Sequence, residues 1–210
     1  MNNGDHLGSD RLLVVLVRHA EAGTPEAFSR HRPQRPDHER PLTAGGREQA
    51  QLLAEVLAAI GPRPTRVFSS TYRRALQTAE PLARSAGLPL ESMIDDRTIF
   101  DPPLSPERLR AALFDAAATT MRARSDPASS LRLRSGFFVF GHEPDLSRVL
   151  ETWLCEGRRE ARGVLPFDKA TAAIVDLPRE PSRSRGQVNA RLHAILPLGL
   201  LESLVERIGT

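Results

Sequence analysis

The chain is poor in the residues that most often disclose a function. Of its 210 residues one is cysteine, one tryptophan and one tyrosine, and aromatics make up 5%. The single thiol, Cys155, excludes an internal disulfide and a metal cluster of thiolates. It falls in an apolar stretch with helical spacing, which reads as a buried structural thiol rather than a nucleophile. No apolar run approaches the roughly 20 residues of a membrane-spanning helix. Residues 1–10 are polar and lack a signal-peptide core, so a flexible N-terminus and a cytoplasmic protein are expected. An excess of one charge is missing too: 29 Lys and Arg face 26 Asp and Glu, a net +3. The basic isoelectric point therefore reflects many dispersed arginines, and with so few aromatics a nucleic-acid groove is not expected. No Gly-x-x-x-x-Gly-Lys loop is present, and no Gly-x-Ser-x-Gly elbow surrounds Ser69 and Ser70.

What the chain does contain is an ordinary globular composition, 40% hydrophobic and 26% charged, on a length that suits one domain over residues 11–210. Strand and helix signals alternate along it. Residues 12–17 and 136–141 are continuous apolar runs, as expected of strands buried on both faces. A shorter strand is expected at 66–69, another at 89–94, and two more at 171–177 and 190–195. Thr43 is placed as an N-cap, with Ala50, Leu53, Ala54, Leu57 and Ile60 at helical spacing and Gly61-Pro62 as the stop. Further helices are expected at 72–86 (ended by Gly87), from Ser105-Pro106-Glu107 onward with Leu109, Ala112, Leu113 and Ala116 on one face, at 144–156, and at 199–208. Residues 22–40, 125–130 and 178–187 read as loops, the first longer than most connections. This order implies an α/β fold, three layers α/β/α around a mostly parallel sheet, with the last two strands an antiparallel pair at one edge.

Two of the apolar runs end on histidine: Val17-Arg18-His19-Ala20 and Phe140-Gly141-His142. Between them Ser69-Ser70-Thr71-Tyr72-Arg73-Arg74 sets arginine at a third strand-to-helix turn. Loops after parallel strands converge at one rim of the sheet, where ligands bind. His19, Arg74 and His142 are therefore expected to meet despite their separation in sequence. Guanidinium forks from Arg18 and Arg74 match phosphate oxygens, a neutral imidazole at His19 can attack phosphorus, and a protonated His142 would complete the anion cradle.

The ordered pieces Arg18-His19-Ala20, Arg40-Pro41-Leu42-Thr43, Ser70-x-x-x-Arg74-Ala75-x-Gln77-Thr78 and Gly141-His142 resemble the histidine phosphatase superfamily, phosphoglycerate-mutase-like in fold. Arg-His-Ala-Glu and the tail from Phe167 to Leu200 resemble its small SixA-type phosphohistidine phosphatases. The resemblance implies a cofactor-independent, metal-free phosphatase with His19 as nucleophile and Arg18, Arg74 and His142 as the phosphate pocket. Its implied substrate is phosphohistidine in a protein, such as a histidine phosphotransfer protein; a small phosphate ester, or phosphate binding without catalysis, is the alternative. Two departures stand out. Thr71 occupies a position where the family often has proline, and no acid falls in a clear general-acid motif. Glu21, Asp96 and Asp101 are the candidates, Glu21 foremost.

The remaining polar residues carry plainer expectations. Arg73 is expected to face solvent, and His6, His31, His38 and His193 to be surface or packing residues. Arg30, Arg32, Arg35 and Arg40 read as solvated loop charge that could line an entrance for an acidic phosphoprotein.

Overall fold

The computed structural model describes residues 11–88, 100–123, 135–155, 167–179 and 190–208. The elements follow the order β1 (Arg11–Arg18), α1 (Pro25–His31), a 3-10 turn (Asp37–Glu39), α2 (Ala44–Ile60), β2 (Arg63–Ser69) and α3 (Arg73–Ser85). After these come α4 (Pro106–Ala123), β3 (Ser135–Gly141), α5 (Asp145–Cys155), β4 (Ala172–Pro178), β5 (Arg191–Leu196) and α6 (Leu198–Ile208).

Among the described residues five strands form one sheet, in the order β2-β3-β1-β4-β5. β1 and β2 both run parallel to β3, whereas β4 lies antiparallel to both β1 and β5. Alternation along β1 explains the layering. Val15 and Val17 face a core built from α2 and α3, with Leu53, Leu57, Ala79 and Leu82. Val14 and Leu16 face the opposite core, formed by Leu109 and Leu113 of α4 with Leu146, Val149 and Trp153 of α5. All four β1 side chains are fully buried, which is why this run carries no polar alternation.

Several expected ends and caps are observed. Thr43 Oγ1 accepts from the Gly46 N–H at 3.0 Å and opens α2. Gly87, with φ +65°, closes α3 in the left-handed conformation that glycine adopts without a Cβ clash. Ser105 Oγ accepts from the Arg108 N–H and caps α4.

Other expectations are corrected. The segment 22–40, read as a loop, contains α1 and the 3-10 turn. Thr24 caps α1 through the Ala27 N–H, Pro25 pre-sets its first φ, and Glu26 and Arg30 complement its dipole. None of its residues is buried, so no apolar stripe marks it in the sequence. β2 starts at Arg63, three residues early, despite Pro64. It is an edge strand whose register slips between Pro64 and Arg66, where a missing N–H breaks no ladder. Ile60, the last of the apolar residues at helical spacing in α2, is 55% exposed. Other bounds differ by one residue. The expected strand at 89–94 and the loop at 125–130 lie outside the described residues, as does most of 178–187.

Candidate active site

The sheet brings the three strand ends together. Arg18 pairs with Gly141 in register, and the ladder runs one step further where the His19 N–H donates to the Gly141 carbonyl at 3.0 Å. On the other side of β3 the Ser70 N–H donates to the Phe140 carbonyl at 3.0 Å. His142, next after β3, is thereby set between His19 and Ser70. The His19 and His142 ring centroids are 5.1 Å apart.

His19 is buried, and its Nδ1 lies 2.7 Å from the Ala20 carbonyl oxygen. A carbonyl only accepts, so Nδ1 carries the proton and Nε2 keeps its lone pair. Thr78 holds this segment in place: its hydroxyl accepts from the Ala20 N–H at 3.0 Å and donates to the Arg74 carbonyl at 2.7 Å. The His19-Ala20 segment and the start of α3 therefore share one hydroxyl.

His142 is fixed by a second chain of bonds. Ser70 Oγ donates to Asp101 Oδ1 at 2.9 Å and accepts from the Tyr72 N–H at 3.2 Å. Its 2.9 Å contact with His142 Nε2 must then have the imidazole as donor. That leaves the lone pair of the neutral ring on Nδ1, a buried atom with no hydrogen-bond partner among the described residues. Asp101 also accepts from the Thr71 N–H and the Thr71 hydroxyl, each at 2.7 Å. A proline at position 71 could give neither bond.

The cations gather around the two imidazoles. Arg74, the second residue of α3, is buried and lies with its Cζ 4.8 Å from the centre of the Tyr72 ring. Its Nη1 donates to the Asp37 carbonyl at 3.0 Å and is 3.1 Å from Asp37 Oδ2. Arg18 donates from Nη1 to the Phe167 carbonyl at 2.6 Å. The Nε atoms of Arg18 and Arg74 are buried without a hydrogen-bond partner among the described residues. Arg40, read as loop charge, is buried: its Nε donates to Asp37 Oδ1 at 2.7 Å and its Nη1 to the Gly23 carbonyl at 2.7 Å. The signal for it was present in Arg40-Pro41-Leu42-Thr43. The Leu42 N–H is tied to Gln77 of α3 at 2.8 Å, which draws this segment onto the site.

Burial pushes the His19 imidazole down to about 4, helped by the positive charges of Arg74, Arg18 and Arg40. Burial, then Arg74 and His19, push His142 down to about 3. Both rings are therefore neutral at pH 7, and a bound dianion beside them would favour their charged forms. Asp37 is held below the usual carboxylate range, first by its bond from Arg40.

The acid candidates are placed as follows. Glu21 is ion-paired with Lys169 and accepts from the Gly23 N–H at 2.6 Å, and the Lys169 bond leads the causes holding its pKa low. A carboxylate so placed is a charged acceptor at pH 7 and a poor proton donor. Asp101 spends its oxygens on Ser70 and Thr71. Asp96 lies outside the described residues. Arg73, His31, His38 and His193 are exposed as expected, and His6 is not among the described residues.

A set of guanidinium groups around a neutral imidazole at the ends of parallel strands has the chemistry that phosphoryl groups require. Residues 14–97 match the family model of the histidine phosphatase superfamily (branch 1), so the likeness of the chain to that superfamily stands on sequence as well as on fold. In fold the chain is SixA-like: it covers 99% of the protein histidine phosphatase SixA complexed with tungstate, and 90% of this chain is aligned, with a TM-score of 0.64 at 20% identity. The native structure of mycobacterial glucosyl-3-phosphoglycerate phosphatase aligns with a TM-score of 0.55 at 15% identity, over 88% of this chain and 98% of that one. An 8-oxo-(d)GTP phosphatase of Mycolicibacterium smegmatis is 35% identical over 108 residues, which are 51% of this chain and 29% of that protein. The chain thus matches under a third of the length of that curated relative. Among the described residues no helix is long and apolar enough to cross a membrane.

Proposed function

We propose that the domain over residues 11–210 is a cofactor-independent phosphatase that works through phospho-His19, with phosphohistidine in proteins as its preferred substrate. One observation carries this reading: His19 keeps its Nε2 lone pair because Nδ1 is bonded to the Ala20 carbonyl, and it lies within the field of Arg18, Arg40 and Arg74. In the first step Nε2 forms a bond to phosphorus as the bond from phosphorus to the leaving group breaks. The arginines balance charge on the equatorial oxygens. Water then breaks the P–N bond of phospho-His19, releasing phosphate and restoring the neutral ring.

The leaving group sets the substrate preference. Of the acid candidates, Glu21 is paired with Lys169 and Asp101 is used as an acceptor. An alkoxide leaving group needs a proton from a placed acid, an aid of ~10²–10⁴-fold, whereas a ring-protonated phosphoramidate departs as neutral imidazole. This favours phosphohistidine, and a histidine phosphotransfer protein is the partner it suggests. A second reading, a small phosphate ester such as a nucleotide, is favoured by the name of the M. smegmatis relative.

Phosphate release from a phosphohistidine peptide, a phosphoserine peptide and an aryl phosphate, using wild type and His19→Ala, tests both. Release with highest kcat/KM from phosphohistidine, lost in the variant, is expected. His19-dependent release mainly from esters moves the protein to the second reading. Release that survives in His19→Ala overturns the nucleophile.

A further inference from the structure

The turn that delivers Asp37 and Arg40 to the phosphoryl site also walls a separate cavity of about 350 Å³. Its lining comes from three stretches of chain: residues 22–35 in and around α1, the segment 39–43 and Arg73 at the start of α3. Phe28 and the buried Leu42 contribute apolar surface, while Arg32, Arg35 and Arg73 contribute guanidinium groups. The one carboxylate in the lining, Glu39, is bonded to Arg35 at 2.6 Å. Arg32 and Arg73 have no side-chain hydrogen bond or ion pair among the described residues. Positive charge is therefore concentrated around a concave site of ligand-binding size with little negative charge to balance it.

The cavity adjoins the phosphoryl site across Arg40. That residue lines the cavity, yet its Nε holds the same Asp37 carboxylate that faces Arg74. Arg73 lines the cavity while its neighbour Arg74 faces the phosphoryl site. Arg40 and the Arg73-Arg74 pair thus connect the wall of the cavity to the phosphoryl site.

We infer that this cavity is a second anion subsite, which takes a carboxylate or phosphate carried by the same substrate whose phosphoryl group reacts at His19. The inference rests on the phosphatase reading for its first anchor point. It adds a selectivity that His19, Arg18, Arg74 and His142 do not themselves supply.

Two matched pairs test it on the full chain: fructose 1,6-bisphosphate against fructose 6-phosphate, and a phosphohistidine peptide flanked by glutamates against the same peptide with glutamines. Wild type is expected to favour the second anion in kcat/KM by roughly fivefold to tenfold, the scale of a few partly exposed charge pairs. The Arg32→Gln/Arg73→Gln variant is expected to bring that ratio close to one. A preference confined to the sugar pair assigns the group to a small molecule, and one confined to the peptide pair assigns it to an acidic polypeptide. No preference in either pair, or one that survives the double substitution, overturns the subsite. Should none of these compounds turn over through His19, the phosphatase reading fails on its own. Calorimetric binding of the two fructose phosphates then decides the subsite by the same ratio and its sensitivity to the two arginines.

Discussion

Thr71 gives both its backbone N–H and its hydroxyl to Asp101, each at 2.7 Å. Through Ser70, the same carboxylate fixes which nitrogen of His142 carries the proton. Ser70→Ala removes the acceptor for His142 Nε2–H inside a buried site. We expect a loss of about 1–3 kcal/mol in urea unfolding. Nitrogen NMR of the ring is expected to lose its single Nε2–H tautomer. An unaltered His142 spectrum in that variant would remove Asp101 and Ser70 as positioning residues.

The two imidazoles dictate an acid limb of stability. His19 is pushed down to about 4 and His142 to about 3, from ordinary values near 6.5. Below pH 6.5 the unfolded chain therefore binds more protons than the folded one. Their contribution is fully present above pH 6.5 and is lost as the pH falls toward 4 and then 3. His19 alone accounts for on the order of 3 kcal/mol by pH 4. Urea melts of wild type and His19→Gln between pH 7 and 4 check this, and the variant is expected to show the shallower decline.

On the phosphatase reading, Asp37 would compete with phosphate for Arg74. Its carboxylate contacts both Arg74 and Arg40 and is half-exposed. Asp37→Asn is expected to strengthen competitive inhibition by inorganic phosphate roughly twofold to fivefold, the worth of about one such ion pair. A weaker inhibition would mean that Asp37 chiefly orients the two arginines.

Glu21→Gln separates two roles for that side chain. As the partner of Lys169 it is dispensable to proton transfer, and hydrolysis of a phosphohistidine peptide is expected to fall less than about tenfold. A loss of ~10²-fold or more, with a changed pH profile, would make Glu21 the general acid after all.

Gly46 has no room for a side chain. A Cβ there would lie 1.9 Å from the Glu21 carbonyl oxygen, two residues beyond His19. Gly46→Ala is expected to cost about 1–3 kcal/mol in stability and to lower activity with it, because the shift it forces falls on the segment that follows His19. Paired thermal melts and kinetic assays read both.

The strands that carry His19 and His142 were legible because each is buried on both faces and reads as an unbroken apolar run. Arg74 was legible through its place at a strand-to-helix turn. α1 was not, since a seven-residue helix without a buried face leaves only its Thr24-Pro25-Glu26 start as a signal. Arg40 was misread for a related reason: its burial depends on Asp37 and on carbonyls 17 and 18 residues away. The bracing of His142 by Asp101 spans 31 residues from Ser70, and no local pattern encodes it.

The central place of β1 also sets the order in which the molecule comes apart. β1 is hydrogen-bonded on both sides, by β3 and β4, whereas α1 buries none of its residues. Amide protons of Val14–Val17 are then expected to exchange only on global unfolding, and those of α1 far sooner. On gentle heating the cavity wall would loosen while His19 stayed in place. If the cavity is the second anion subsite and His19 the nucleophile, discrimination among substrates is the first property to be lost, and the capacity to accept a phosphoryl group the last.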